Sequence, residues 1–169
     1  MNFLIRAAGP DDAHALSTVA ARTFALACPP STPAHELSSF IDAHLQPSHF
    51  LEQINADSNT VLVVEHAGAV VGYSLANRAP GAVGVAAADD LPELTRCYVL
   101  PEMHGSGAAQ QLFDATLKLL EGPVRLTVSI ENPRAIRFYI RNGFATVGTT
   151  TFPVGDELHE DLVMVRPAH

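Results

Sequence analysis

The sequence has few basic residues. It contains 10 lysines and arginines against 18 aspartates and glutamates, which gives a formal net charge of −8. Binding of nucleic acid depends on basic patches that contact phosphates, so this balance argues against a nucleic-acid partner. An acidic surface attracts cationic substrates, although ordinary solubility also explains the same charge.

Cysteines and long apolar runs are also scarce. The two cysteines, Cys28 and Cys97, cannot make a disulfide framework, and no cysteine–histidine cluster has the spacing of a zinc site. Both are interpreted as small buried apolar side chains. No apolar run reaches the roughly 18 residues that predict a membrane span, and the N-terminus lacks the basic segment of a signal peptide. We therefore expect a cytoplasmic location, no metal and no membrane partner.

The composition is that of one globular domain over residues 1–169, since 47% of the residues are hydrophobic and 17% are charged. Apolar periodicity and turn residues predict the order β, helices, ββ, β, α, β, α, ββ. This order predicts an α/β fold with a mixed sheet and helices on both faces. Strands are expected at 3–6, 60–65, 70–75, 93–99, 124–130, 144–152 and 160–166, and the main helices from Asp11 or Asp12 to Ala27 and at 34–45, 105–120 and 133–141.

A first candidate motif covers residues 98–109. A strand runs into a turn that contains Gly105 and Gly107, where a helix is expected to begin. The free N–H groups of a helix N-terminus bind phosphate, and glycine lets the backbone approach an anion closely. An ordinary strand-to-helix turn explains the same pattern. The dinucleotide-binding fingerprint is not met, because its third glycine is replaced by Gln110.

A second candidate motif covers residues 126–144. It consists of a strand, a helix start at Asn132-Pro133, the pair Phe138-Tyr139 and the exit Gly143-Phe144. Pro133 suits the first position of a helix. Asn132 either caps this helix or turns its amide toward a ligand. Tyr139 is either a core residue or a functional one.

Together, in this order and one strand apart, the two motifs resemble the GNAT (GCN5-related N-acetyltransferase) superfamily. Segment 104–109 is similar to its pyrophosphate loop, Q/R-x-x-G-x-G/A, with His104 where arginine or glutamine is usual. Segment 132–144 is similar to its N-x-x-A-x-x-F-Y-x-x-x-G-F pattern. The resemblance implies a mostly antiparallel sheet with one splayed parallel strand pair, and acetyl-CoA as cosubstrate. The residues it implies as cofactor contacts are Tyr98, Val99, His104, Gly105, Ser106, Gly107, Ala108, Ala109, Asn132, Ala135, Phe138 and Tyr139.

The resemblance also implies direct transfer of an acetyl group to an amine, without a metal or a covalent enzyme intermediate. An alkyl amine has a pKa of roughly 10.4, so a base must remove its proton at neutral pH. Glu93 and Cys97 match the E-x-x-x-C spacing that carries this base in the histone-acetyltransferase branch, although an exposed carboxylate at a strand end explains Glu93 as well; Glu102 is the second choice. Tyr139 would donate to the leaving thiolate, and a backbone N–H near Val99 would stabilise the developing oxyanion.

The expected acceptor is a primary amine of a small molecule. A weaker resemblance, to the bacterial polyamine N-acetyltransferase branch, rests on Thr23-Phe24, Phe40-Ile41, Val71-Gly72-Tyr73, Val154-Gly155 and Asp161–Met164. In the family, acceptor specificity lies in the first helices and in the segment 77–91. The alternatives are a regulatory domain that binds acyl-CoA without turnover, a protein or peptide N-acetyltransferase, and a transferase of longer acyl groups. A homodimer is left open.

Overall fold

The computed structural model of the chain describes residues 1–154 and 156–168. Gly155, used above for the polyamine resemblance, therefore lies outside the described residues. The strands are β1 (Leu4–Ala7), β2 (Asn59–His66), β3 (Ala69–Asn77), β4 (Glu93–Val99), β5 (Val124–Ser129), β6 (Ala145–Val154) and β7 (Glu157–Arg166). The α-helices are α1 (Ala13–Ala27), α2 (Ala34–His44), α3 (Pro47–Asn55), α4 (Ala108–Leu120) and α5 (Pro133–Arg141).

All seven strands form one mixed sheet in the order β1-β2-β3-β4-β5-β7-β6. The pair β4–β5 is parallel, and the other neighbouring pairs are antiparallel. Register pairing of β4 with β5 is confined to Glu93 opposite Arg125, at the first residues of β4. The two strands therefore separate toward their C-terminal ends. The expected mixed sheet with a splayed parallel pair is confirmed.

Helices cover both faces of this sheet, as consecutive residues of β3 show. The ring of Tyr73 meets Phe50 of α3 edge-on, with centroids 5.5 Å apart. The hydroxyl oxygen of Ser74, the next residue, lies 2.7 Å from that of Thr116 in α4. Because successive side chains of a strand point to opposite faces, α3 and α4 lie on opposite sides of the sheet. No helix among the described residues is long and apolar enough to cross a membrane.

The structure shifts some element boundaries. Helix α4 begins at Ala108 rather than at Gly105, because Gly105 and Gly107 have φ angles of +80° and +94°, outside the helical region. The strands β6 and β7 are longer than expected and reach Val154 and Glu157. Strand β4 and helix α5 have the bounds that the sequence predicts.

Candidate active site

The gap between β4 and β5 exposes backbone groups of β4. Leu100 donates its N–H to the carbonyl oxygen of Val71 in β3 at 2.8 Å. Since successive N–H groups of a strand point to opposite edges, the N–H of Val99 points away from β3 and toward the gap. A donor in this position can stabilise negative charge on an oxygen atom that enters the gap.

A cavity of about 390 Å³ opens at this gap and continues along the turn before α4. The turn presents the first N–H groups of the helix, and that of Ala108 is bonded to Ser106 Oγ at 3.3 Å. The N–H groups of Ala109 and Gln110 have no partner within the helix, whose first bond runs from the N–H of Gln111 to the carbonyl oxygen of Gly107 at 3.1 Å. Of the twelve residues that the sequence predicts as cofactor contacts, ten line this cavity and two, Ser106 and Ala108, do not. The ten are Tyr98, Val99, His104, Gly105, Gly107, Ala109, Asn132, Ala135, Phe138 and Tyr139.

His104, which departs from the family pattern, does not bring a positive charge to this cavity at neutral pH. Burial and the nearby Arg134 lower the pKa of its imidazole below the usual 6.5, although a hydrogen bond to the Val99 carbonyl oxygen acts in the opposite direction. The cationic side chains of the cavity are instead Arg134 and Arg141, two turns apart on α5. Sequence reasoning missed both, although their spacing of seven residues places them on one helix face.

Tyr139 is surrounded by three aromatic rings. Its ring centroid lies 5.7 Å from that of Phe138, 5.9 Å from that of Phe144 and 6.1 Å from that of Phe113 in α4. Burial raises the pKa of its hydroxyl well above the usual value, so the group stays protonated and is a hydrogen-bond donor.

The second motif also fixes α5 against α4. Asn132 Oδ1 accepts a hydrogen bond from the N–H of Ala135 at 3.3 Å, so Asn132 caps α5 while it lines the cavity. At the other end of α5, Gln110 Nε2 donates to Asn142 Oδ1 at 2.8 Å. The motif thus positions both ends of the helix that carries Tyr139.

A second cavity, of about 210 Å³, adjoins the first, and the two share Ala27 and Tyr98. It is bounded by α1, α2 and the strands β3, β4, β5 and β7. Its charged or titratable side chains include Arg96, His159 and Asp161. No residue of the segment 77–91 lines it, whereas Ala20, Phe24 and Phe40 of the first two helices do.

The model of the acetyltransferase (GNAT) family matches residues 23–144. The chain belongs to this family. A relative from Mycobacterium tuberculosis, described as an uncharacterised N-acetyltransferase, is 40% identical over 159 residues, which are 92% of this chain and 97% of the relative. At the level of the family, the activity is therefore acetyl-CoA-dependent N-acetyl transfer.

Solved structures of the GNAT type share the fold at low sequence identity. The PaiA N-acetyltransferase of Thermoplasma acidophilum, solved with coenzyme A, superposes with a TM-score of 0.82 at 19% identity, over 99% of both chains. YncA of Salmonella typhimurium, a putative acetyltransferase solved with acetyl-CoA, gives 0.69 at 16% identity, over 99% of this chain and 94% of the other. These likenesses extend the GNAT fold over nearly the whole chain.

The two carboxylates expected as bases in this GNAT chain lie outside the linings of both cavities. Glu93 Oε1 is 3.4 Å from Nε of the buried Arg125, and Glu93 Oε2 accepts a hydrogen bond from Thr95 Oγ1 at 3.2 Å. Thr95 lines the second cavity and thereby connects Glu93 to it. Glu102 pairs with Arg22, with 3.0 Å between Oε1 and Nη2. The role of Glu93 stays a prediction.

Both cysteines line a cavity, Cys97 the first and Cys28 the second. Burial raises the pKa of the Cys97 thiol to about 12, and burial together with Asp161 raises that of Cys28 to about 11. Because the thiolate is the nucleophilic form, neither sulfur is activated near neutral pH. Within residues 1–154 and 156–168, no group of three or more potential metal ligands comes together.

Proposed function

We propose that this chain transfers the acetyl group of acetyl-CoA to the primary amine of a small molecule. The observation that carries the proposal is the meeting of two cavities at Ala27 and Tyr98, beside the gap between β4 and β5. The first cavity combines an anion-binding helix N-terminus with two arginines, which suits the phosphates of coenzyme A. The second cavity contains a carboxylate, Asp161, which suits an amine.

The cysteines support direct transfer rather than an acetylated enzyme, because both thiols stay protonated. In direct transfer the amine nitrogen bonds to the thioester carbon and the carbon–sulfur bond breaks. One amine proton leaves, and the sulfur departs as a thiolate that later takes up a proton. The N–H of Val99 would bind the carbonyl oxygen while it carries negative charge.

Tyr139 would hold the departing thiolate by donating a hydrogen bond. A thiol has a pKa near 8.5, well below that of the buried tyrosine hydroxyl, so complete proton transfer from Tyr139 to sulfur is unfavourable. Tyr139 therefore stabilises the thiolate without itself becoming charged. Glu93 would receive the amine proton, through Thr95 Oγ1 or a water molecule beside it.

The proposal is tested by adding coenzyme A and acetyl-CoA to the purified protein, and then acetyl-CoA with a panel of amines. A ligand that binds only the native state raises the free energy of unfolding by RT ln(1 + [L]/Kd). We expect a higher melting temperature with either nucleotide, and amine-dependent release of thiol.

Gly107→Val should abolish the thermal shift, because valine disfavours a φ of +94° and would occupy the space at the first cavity. Gly81→Val is the matched control, since Gly81 has a φ of +81° and lines neither cavity. No shift with the wild-type protein refutes the proposal. A shift without thiol release from any amine identifies a regulatory domain instead.

A further inference from the structure

The second cavity contains two opposite charges that do not neutralise each other. Arg96 enters from β4 and Asp161 from β7. Among the described residues, no ion pair with N···O of 4.0 Å or less involves either side chain. The guanidinium of Arg96 lies over the ring of Phe50, with its carbon 5.9 Å from the ring centroid, and its Nη1 is buried without a hydrogen-bond partner.

These two side chains are carried by strands that are not neighbours in the sheet. Asp161 stands opposite Ser129 on β5, and β5 separates β7 from β4. Neighbouring strands lie about 4.8 Å apart, so the backbones that carry the two charges are about 10 Å apart or more across the splayed gap. Thr127 and Ser129 of β5 line the space between them.

Asp161 is only 7% exposed, and burial raises the pKa of its carboxyl from 3.8 to about 6, with His159 acting in the opposite direction. His159 is itself held by Glu157, with 3.2 Å between Nε2 and Oε2. A buried carboxylate is costly unless a cation or hydrogen-bond donors meet it. Asp161 is therefore available to a positively charged ligand group. Arg96 interacts with the Tyr73 hydroxyl but pairs with no carboxylate among the described residues, so it is available to a negatively charged group.

From this arrangement we infer that the acceptor is a small amino acid-like molecule, whose carboxylate binds Arg96 and whose amino group binds Asp161. The inference rests on the proposed function and names its substrate class. Because Arg96 and Asp161 line one cavity without forming an ion pair there, a molecule that carries both a carboxylate and an amino group can bind to both. A planar guanidinium also suits a carboxylate because it donates two parallel hydrogen bonds.

The same arrangement disfavours a polyamine. The second ammonium group of a polyamine would share a cavity of about 210 Å³ with the guanidinium of Arg96. Like charges in a partly buried space repel strongly, since the effective dielectric there is lower than in water. Asp161 would therefore attract one ammonium group of a polyamine, and Arg96 would repel the other.

The test compares amino acids with their uncharged amides in wild-type protein and in Arg96→Met, Arg96→Lys and Asp161→Asn. Arg96→Met should lower kcat/KM for the free amino acids by about 10- to 100-fold, the usual range for a lost hydrogen bond to a charged group, and lower it much less for the amides. Comparing the same two compounds in each protein cancels their difference in amine pKa. Arg96→Lys should restore part of the loss, and Asp161→Asn should lower both rates.

Arg78→Met is the control for removal of an arginine, since Arg78 bonds to Thr60 and lines neither cavity. A second measurement adds amino acids and spermidine to the coenzyme A-loaded protein and follows the melting temperature, so that binding is read without turnover. Amino acids should stabilise wild type and not Arg96→Met.

Three results overturn the inference. The first is a preference for spermidine over amino acids in either assay. The second is an equal loss of rate on amino acids and amides in Arg96→Met. The third is the absence of any shift with amino acids. Failure of the proposed function is recognised separately, because then either coenzyme A alone would give no shift or no amine at all would cause thiol release.

Discussion

Tyr139 shows how the second motif serves the chemistry. Phe113, Phe138 and Phe144 surround its ring, so the two phenylalanines of the motif position the tyrosine between them. The hydroxyl matters chiefly when charge develops on sulfur, which is an interaction of the transition state.

Tyr139→Phe should therefore lower kcat by about 10- to 100-fold, the usual range for loss of a hydrogen bond to a charged group, and leave the Kd for acetyl-CoA nearly unchanged. Single-turnover rates and direct binding measurements check this. Phe138→Leu is a control that alters the packing but keeps the hydroxyl. An unchanged single-turnover rate in Tyr139→Phe would make Tyr139 a packing residue only.

Glu93→Gln should suppress kcat/KM most at low pH. The amine is then almost fully protonated, since its pKa is roughly 10.4, and the need for a base declines as the pH rises. The ratio of wild-type to variant kcat/KM between about pH 6.5 and 9.5 measures this, with the exposed Glu52→Gln as control. A ratio near one at every pH excludes Glu93 as the base. A large ratio that does not vary with pH shows that Glu93 positions the substrate.

Some site residues could be predicted from the sequence and others could not. Gly105, Gly107 and Asn132 were found because local backbone geometry requires them. Asp161 was named only for the weaker polyamine resemblance and not as a site residue, because α1, α2 and β4, which complete its cavity, lie far from it along the chain. The one local feature of the sequence that could have indicated Asp161 is its position two residues before the buried Val163, which places the carboxylate on the same face of the strand.

At the scale of elements, α5 carries both Tyr139, proposed to stabilise the thiolate, and Arg134 and Arg141, proposed to bind the phosphates. Its bounds were predictable from Pro133 at the start and Gly143 after the end, where φ is +91°. The order of the strands in the sheet could not be predicted, because insertion of β7 between β5 and β6 depends on contacts between distant segments.

Replacing both Arg134 and Arg141 by methionine should weaken coenzyme A binding by about 10-fold at low salt, because hydrogen bonds between guanidinium and phosphate are lost. The difference from wild type should shrink as salt increases, since both side chains are exposed and salt screens their charge. Titration calorimetry at several salt concentrations measures this. Arg137→Met lies on the same helix, does not line the cavity and should leave the affinity unchanged. Equal affinities for the double variant and wild type would assign the phosphates to the turn alone.

At the scale of the whole molecule, Asp161 should lower the free energy of unfolding while no acceptor is bound. Above pH 6 the folded protein carries this carboxylate ionised and desolvated, facing His159 on its own strand and close to Cys28, in a cavity that Arg96 and Tyr98 also line. The difference between a pKa of 3.8 in the unfolded chain and one of about 6 in the folded protein lowers the free energy of unfolding by at most about 3 kcal/mol. The folded state binds the proton more tightly, so this loss of stability develops between about pH 4 and pH 6 and stays constant above.

Asp161→Asn should therefore raise the melting temperature at pH 7 by up to about 10 °C and have little effect below pH 4. Thermal unfolding across this pH range measures the difference, with the exposed Asp57→Asn as control. A lower melting temperature in Asp161→Asn at pH 7 would show that the carboxylate stabilises the fold and is not reserved for a ligand.

The position of β7 has a consequence for the order in which the chain becomes competent during synthesis. β6 pairs with β7 and with no other described strand, and β7 alone connects it to β5. Residues 98–141, which carry the turn and Tyr139, are synthesised before β7. The half of the site that selects the acceptor, with Asp161, and the attachment of β6 to the sheet both depend on residues 157–166, which form the last strand to be synthesised. A chain cut short before β7 would therefore lack the acceptor half of the site even if its nucleotide half formed.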